Sequence, residues 1–268
     1  MLRIARRGDR HDPRDLTVSI KLEGDAGPEF LEGRAGALVP GETIKRFVHQ
    51  VARDQAAAEI ETFGLALCRR MLEAQRQLTR VRAEIAERPW LRMDVGGKAQ
   101  GQAFVLGGPE ERTVAITSNG AQTAVVSGLD HLVLMRTSGF LDRRGTRSPD
   151  GTDDAVQPLL VGSLTAKWTY SNPDVTFGPY RQGVRAAITE TFAMHAAQSL
   201  QHTLYAIADV VLATYEEIVD VTLSMQERPY RPSDLLGLSD DLFHAVEEPV
   251  GVVEITVERE RGAAPRQR

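Results

Sequence analysis

Apolar and polar residues alternate over several short stretches of the chain, a pattern typical of half-buried β-strands. Residues 16–24, with the sequence LTVSIKLEG, show this alternation most clearly. The same reasoning predicts further strands at 43–52, 78–88, 91–107, 131–137, 159–170, 217–225 and 251–259.

Turn residues divide these strands. Asn119-Gly120 lies between the runs RTVAITS and QTAVVSG, and an Asn-Gly pair in this position predicts a β-hairpin. Pro89 predicts a turn between the strand at 78–88 and the strand at 91–107.

Three segments instead carry apolar residues at helical spacing. Ile60, Phe63, Leu67 and Met71 predict one helix, for which Asp54 is a plausible N-cap. The second half of the chain has two such stripes, formed by Val184, Ile188 and Phe192 and by Leu200, Leu204, Ile207 and Val211.

The order of elements repeats along the chain and predicts an internal duplication. ERPWLRMD at 87–94 and ERPYRPSD at 227–234 follow equivalent strands. We expect two β-β-α-α-β-β units, at 1–128 and 129–260, followed by a polar tail at 261–268. The fold class is α+β, in which each antiparallel sheet carries two helices on one face. Self-association into a closed barrel would cover the other face.

Composition and charge exclude several classes of protein. The 268 residues carry a formal net charge of −5, which gives no sign of a nucleic-acid partner. No apolar run reaches the roughly 20 residues of a membrane helix, so we expect a soluble cytoplasmic protein. Cys68, the single cysteine, lies among apolar residues and is expected to be a core residue rather than a catalytic thiol.

Six segments, in this order along the chain, resemble those of the urate oxidase (uricase) family: LTVSIKLEGD, LVPGETIKRFV, ERPWLRMDVGGKAQGQAFV, LVLMRTSGF, SLQHTLYAIADVVL and EEPVGVVEITVER. The resemblance implies tandem units of the tunnelling fold that pair into barrels, in tetramers with active sites at subunit interfaces. It also implies chemistry without a metal or a flavin, in which an electron-rich heterocycle reacts directly with dioxygen.

Residues that would face a flat ring are retained. Phe140, in TSGF, matches the family's stacking phenylalanine, and Gln201 matches the glutamine that pairs with the edge of the substrate. Leu200 matches the neighbour whose backbone N–H contacts the ring. From residue type alone, Phe140 could also be an apolar residue at a strand end, and Gln201 an exposed helix residue.

Residues that would hold charge or move protons have changed. The family's arginine clamp aligns with Pro158, beside Gln157, and its threonine-aspartate pair aligns with Gly41 and Glu42. Thr43 could replace the threonine only after a change of register. No lysine is found at the position of the proton relay.

The family's asparagine and histidine for dioxygen align with Glu227 and Pro229, in SMQERPY. Proline offers no polar side-chain group to hold water or peroxide. The family's His-x-His segment has become Gln100 and Gln102 within AQGQA. These changes argue against ordinary urate oxidation.

Two hypotheses remain open. In the first, a homotetrameric, cofactor-independent oxidoreductase binds a purine-like or pteridine-like heterocycle through Phe140, Leu200, Gln201 and Gln157. Glu42, Thr43 and Glu227 would then be its catalytic groups, and dioxygen its possible oxidant. In the second, the chain is a non-catalytic subunit that partners an active paralogue, or a heterocycle-binding protein, and its glutamates are solvated turn residues.

Overall fold

The computed structural model describes residues 1–33, 38–55, 59–137, 159–196, 199–233, 242–246 and 251–259. Two compact units emerge from its contacts. Unit 1 comprises Met1–Gly128 with Thr169–Pro179, and unit 2 comprises Leu129–Trp168 with Tyr180–Arg268. The predicted domain boundaries stay a prediction, and the tail at 261–268 lies outside the described residues.

Unit 1 contains an antiparallel sheet with the strand order β1-β2-β3-β6-β7, and a separate hairpin, β4-β5. The elements in chain order are β1 (Leu2–Arg7), β2 (Arg10–Gly24), α1 (Gly27–Glu32), α2 (Gly41–Asp54), α3 (Ile60–Ala74), β3 (Leu78–Arg88), β4 (Trp90–Val95), β5 (Lys98–Leu106), β6 (Glu111–Ser118) and β7 (Thr123–Arg136), which continues into unit 2.

Unit 2 contains the sheet order β7-β8-β9-β12 and a short pair, β10-β11. Its further elements are β8 (Leu160–Tyr170), α4 (Phe177–Met194), α5 (Leu200–Thr214), β9 (Ile218–Glu227), β10 (Tyr230–Pro232), β11 (Phe243–Ala245) and β12 (Val252–Glu258). The last two residues of β8 and the first three of α4 belong to unit 1. The α+β class with antiparallel sheets is confirmed. No helix in the described ranges is both long and apolar enough to cross a membrane.

The prediction of a strand at 43–52 is wrong, because this segment forms helix α2. Ile44, Phe47, Val48 and Val51 recur at a spacing of three and four residues, which is the period of a helix face. The alternation of apolar and polar residues in this short segment is therefore compatible with a helix as well. The helix forms because it buries one apolar side, on which Val51 is fully buried.

Asp54 was also wrongly predicted to begin the following helix. It is the last residue of α2, and Glu59 occupies the N-cap of α3. The Asp54 carboxylate instead accepts the Arg70 guanidinium at 2.8 Å, so it links the two helices.

The predicted strand at 91–107 is a hairpin. Gly96 and Gly97, with φ of 62° and 78°, adopt the left-handed conformation that glycine favours and reverse the chain. Asp94 accepts a hydrogen bond from the Gly97 N–H at 2.8 Å. The hairpin predicted at Asn119-Gly120 is confirmed, and its second strand, β7, runs on through the separate strand predicted at 131–137.

The core of unit 1 forms where α3 packs on β3 and β6. Ile60, Phe63, Leu67 and Met71, the predicted stripe, are all buried. The helix approaches the sheet so closely at Gly64 that an added Cβ would lie 2.6 Å from Ile116 Cδ1. Burial raises the pKa of the Cys68 thiol to about 11. Cys68 is therefore a core residue, as predicted.

The core of unit 2 is built in the same way. Helix α5 packs on β9 and β12, and its predicted stripe is buried together with alternate residues of β9: Leu200, Leu204, Ile207, Val211, Val221, Leu223 and Met225.

The helix-strand pairs of the two units match without a gap. Helices α3 and α5 begin at Ile60 and Leu200, which are 140 residues apart, and strands β3 and β9 begin at Leu78 and Ile218, again 140 residues apart. Glu-Arg-Pro follows at 87–89 and at 227–229 with the same offset. A residue in one of these segments of unit 1 therefore has a defined counterpart in unit 2.

Charged side chains form a buried cluster in unit 1, which we call the Arg112 cluster. Glu61 is only 1% exposed and accepts the Ser127 hydroxyl at 2.8 Å and the Arg112 guanidinium at 3.1 Å. The same guanidinium contacts Glu59 at 2.6 Å and Glu87 at 3.1 Å. One cation therefore serves three carboxylates.

Replacing Arg112→Ala should destabilise the protein by about 3–5 kcal/mol, because it leaves the buried Glu61 carboxylate without its cation. Thermal denaturation would measure the effect. Arg82→Ala is the control, because Arg82 pairs with Glu84 at the surface and should cost less than about 1 kcal/mol. Equal losses for both variants would contradict a special role for the Arg112 cluster.

Candidate functional site

The beginning of α5 and the end of β9 lie at the same end of unit 2. Helix α5 ends at Thr214, β9 begins at Ile218, and the two elements pack on each other, so they run antiparallel. Leu200 and Gln201 open the helix, and Glu227 closes the strand. We call the region defined by Leu200, Gln201 and Glu227 the site end of unit 2.

The first turn of α5 presents both a polar side chain and free backbone donors. Ser199 is the N-cap, and its hydroxyl accepts the His202 N–H at 3.1 Å. Helix geometry leaves the N–H groups of Leu200 and Gln201 without an intrahelical acceptor. The Leu200 side chain is buried, whereas Gln201 is exposed. A ligand with a carbonyl or lactam edge could therefore bind here.

Glu227 continues the buried face of β9. Val221, Leu223 and Met225 alternate on the helix side of the strand, and Glu227 is the next residue in this series. Its backbone N–H donates to the Gly251 carbonyl at 3.1 Å. The carboxylate is thus directed toward the same side of the sheet as α5.

Two neighbouring strands also have an end here. The Arg228 N–H donates to the Val161 carbonyl at 2.8 Å, which places the beginning of β8 beside the end of β9. The Thr165 hydroxyl donates to Asp130 at 2.5 Å and joins β8 to β7. The predicted ligand-binding residues Phe140 and Gln157 belong to the segment between β7 and β8 and lie outside the described residues.

Glu42 and Thr43 occupy the first turn of α2, in unit 1. Glu42 is exposed and accepts the Lys45 ammonium at 2.8 Å, and this hydrogen bond lowers the pKa of the Glu42 carboxyl. Thr43 is half-buried, and its N–H donates to the Pro40 carbonyl at 2.9 Å. Their catalytic roles stay predictions, and within this chain the bond to Lys45 makes Glu42 a weaker base.

A histidine pair near the beginning of α5 was not anticipated from the sequence. The rings of His195 and His202 meet edge to face, with centroids 4.7 Å apart. Arg136, at the end of β7, donates to the carbonyls of Phe192 and His195 at 3.3 and 2.9 Å. Arg136 is more than 50 residues away from both of its acceptors, so no local spacing could have indicated this contact. The two histidines are seven residues apart, but the break in the helix between them conceals their contact in the sequence.

The surroundings of His195 disfavour the charged form of its imidazole. Its Nδ1 atom is buried, and within the described ranges it has no hydrogen-bond partner. Burial is the main reason why the pKa of His195 is lowered, and the nearby His202 and Arg136 lower it further. The described residues contain no group of three or more His, Cys, Asp or Glu that could hold a metal ion.

Comparison with known proteins identifies the family. The uricase family model matches residues 11–117 and 125–254. These ranges make up most of the chain and include the site end of unit 2. The chain belongs to the uricase family.

Individual uricases support this membership over almost the full length. The uricase of Danio rerio is 28% identical over 272 residues, which cover 96% of this chain and 90% of that protein. The uricase of Arthrobacter globiformis is 26% identical over 269 residues, with 98% and 87% coverage. Its crystal structure matches this chain with a TM-score of 0.86 and covers 98% of it. A urate oxidase of Bacillus sp. TB-90, 20% identical, shares the fold with a TM-score of 0.75.

Acidification should destabilise the protein partly through His195. The pKa of His195 lies below its usual value of 6.5, so the unfolded chain takes up a proton first as the pH falls. The stability contributed by the neutral imidazole is therefore present above about pH 6.5 and is lost as the pH falls through the folded pKa. We expect His195→Gln to show a smaller decrease in melting temperature between about pH 7.5 and about pH 5.5.

His49→Gln is the matched control, because His49 is exposed on α2. It should leave the pH dependence of the melting temperature unchanged. An identical pH dependence for His195→Gln and the unmodified chain would show that the imidazole is not the group concerned.

Proposed function

We propose that this member of the uricase family is an oxidoreductase that oxidises a planar purine-like heterocycle with dioxygen, without a metal or a flavin. Two electrons and two protons pass from the heterocycle to dioxygen, which becomes hydrogen peroxide. The preferred substrate differs from the urate anion. Assembly into a homotetramer is part of the proposal.

One observation carries the proposal: Gln201 and the free N–H groups of the first turn of α5 lie at the same end of unit 2 as Glu227. A planar amide offers a donor and an acceptor in one plane, which suits the N–H and C=O groups of a lactam edge. Membership of the uricase family supports an oxidase rather than an unrelated activity for such a ligand site.

The charge of the site end argues for a neutral substrate. Glu227 places a carboxylate where the family pattern has an asparagine, and Pro158 stands at the aligned position of the arginine clamp. Two like charges about 4 Å apart repel by about 1 kcal/mol in bulk water, and by more where water is excluded. An anionic heterocycle would meet this repulsion, whereas a neutral one would not.

A second function is favoured by the changed relay positions. Gly41 and Glu42 replace the threonine-aspartate pair, and Pro229 replaces the histidine. A chain without these groups could bind a heterocycle without oxidising it, either by itself or in a heteromer with an active paralogue. Oxidation and binding must therefore be measured separately.

The first experiment follows heterocycle absorbance and dioxygen uptake together, with urate, xanthine and guanine as separate substrates. We expect urate turnover at least about a thousandfold below the ~10 per second of an ordinary enzyme. A neutral heterocycle should be consumed with equimolar dioxygen and hydrogen peroxide. Gln201→Ala should weaken its binding about tenfold or more, since the edge contact is lost.

Gln226→Ala is the control, because Gln226 is an exposed glutamine on β9 beside Glu227. Urate turnover within about tenfold of an ordinary rate would contradict the change of substrate. Binding in a thermal-shift titration without consumption of any heterocycle would establish the second function instead.

A further inference from the structure

The repeat gives Gln201 and Glu227 counterparts in unit 1. With the offset of 140 residues, Gln201 corresponds to Glu61 and Glu227 to Glu87. Glu61 opens α3 as Gln201 opens α5. Glu87 continues the buried face of β3, just as Glu227 continues that of β9.

In unit 1 these two positions bind one planar guanidinium group. Arg112 donates through Nη2 to Glu61 at 3.1 Å and through Nη1 to Glu87 at 3.1 Å. The first turn of α3 and the end of β3 are therefore close enough for the two terminal nitrogens of one guanidinium to contact both. Charge-assisted hydrogen bonds of this kind are stronger than those between neutral groups, and the planar guanidinium fixes their directions.

In unit 2 the position that would supply this group has no side chain. Arg112 is the cross-strand partner of Glu87, and the corresponding partner of Glu227 is Gly251, whose carbonyl accepts the Glu227 N–H. A Cβ added at Gly251 would meet no atom within 4 Å. Within the part of the chain that the structure describes, no ion pair of Glu227 is found.

We propose that the substrate itself supplies the missing group: a planar heterocycle with a 2-amino-lactam edge, in which one carbon carries an exocyclic amino group between two ring nitrogens. The Glu227 carboxylate accepts the amino and ring N–H groups of this edge, one on each oxygen, as the two oxygens of Glu87 accept one N–H from Arg112 and one from Arg14. The Gln201 amide binds the adjacent lactam carbonyl or N–H. This inference rests on the proposed function, because it names the class of heterocycle bound at the site end.

The charges at the two equivalent ends fit a guanidinium cation in unit 1 and a neutral heterocycle in unit 2. Unit 1 surrounds a permanent cation with the carboxylates of Glu59, Glu61 and Glu87. Unit 2 has Ser199, Gln201 and Glu227 at the same positions, so two of the three negative charges are absent. One carboxylate and one amide suit a neutral amino-lactam better than a cation. Urate has no exocyclic amino group and cannot make the contact with Glu227.

The test compares 2-amino-4-oxopteridine with 4-oxopteridine, which differ only in the amino group, by fluorescence or calorimetric titration of the full chain. We expect the amino compound to bind at least about tenfold more tightly. Glu227→Gln should reduce this preference to less than about twofold. Glu254→Gln should retain it, because Glu254 is an exposed carboxylate on the neighbouring strand β12.

A second variant tests the same site by filling it. Gly251→Arg places a guanidinium opposite Glu227, as Arg112 stands opposite Glu87 in unit 1, and should abolish the preference for the amino compound. Gly251→Ala should leave the preference intact, since an added Cβ meets no atom within 4 Å. Melting temperatures near that of the unmodified chain would confirm that both variants fold.

Equal binding of the two pteridines, or an unchanged preference in Glu227→Gln, would overturn the inference and leave the proposed function intact. Binding of urate more tightly than the amino compound would overturn the inference and also contradict the proposed change of substrate. Absence of binding by both pteridines, together with absence of binding by urate, xanthine and guanine, would overturn the inference and the proposed function together.

Discussion

The packing of α5 on β9 determines where the functional groups of unit 2 lie. The apolar stripe of α5 faces the apolar residues that alternate along β9. Both sets of side chains are removed from water when the helix packs antiparallel to the strand. This burial brings the helix opening at Leu200 and Gln201 to the same end as Glu227. The position of the polar groups is therefore a consequence of apolar packing at neighbouring positions of the same helix and strand.

Unit 1 repeats this packing but uses its polar end differently. Arg112 extends between Glu61 and Glu87, and the Ser127 hydroxyl completes the hydrogen bonds of the buried Glu61 carboxylate. A buried carboxylate is costly unless it is paired in this way. The duplication thus contains one end closed by its own side chain and one end at which Gly251 contributes none.

The expected changes from the uricase pattern all alter the charge of the site in the same direction. The resemblance aligns the family's arginine with Pro158 and its asparagine with Glu227, so we expect positive charge to be lost and negative charge to be gained. Both changes weaken the binding of an anion, and a carboxylate favours a ligand that donates hydrogen bonds. The His195 and His202 rings contact each other near the same helix opening, so further polar groups lie beside the motif positions.

Much of the fold followed from the sequence because apolar periodicity reports directly on burial. The stripe beginning at Ile60, the hairpin at Asn119-Gly120 and the antiparallel α+β class were all predicted in this way. The resemblance to the uricase motifs made Gln201 a candidate as a retained residue and Glu227 a candidate as a changed one. The helix at 41–54 was missed because a short segment can fit both periods, and only the packing of Val51 into the core decides between them. The contacts of Arg112 with Glu61 and of Arg136 with His195 depend on chain reversals and strand register, which bring distant residues together. Local sequence patterns contain no such distances, so tertiary structure alone decided which polar groups meet.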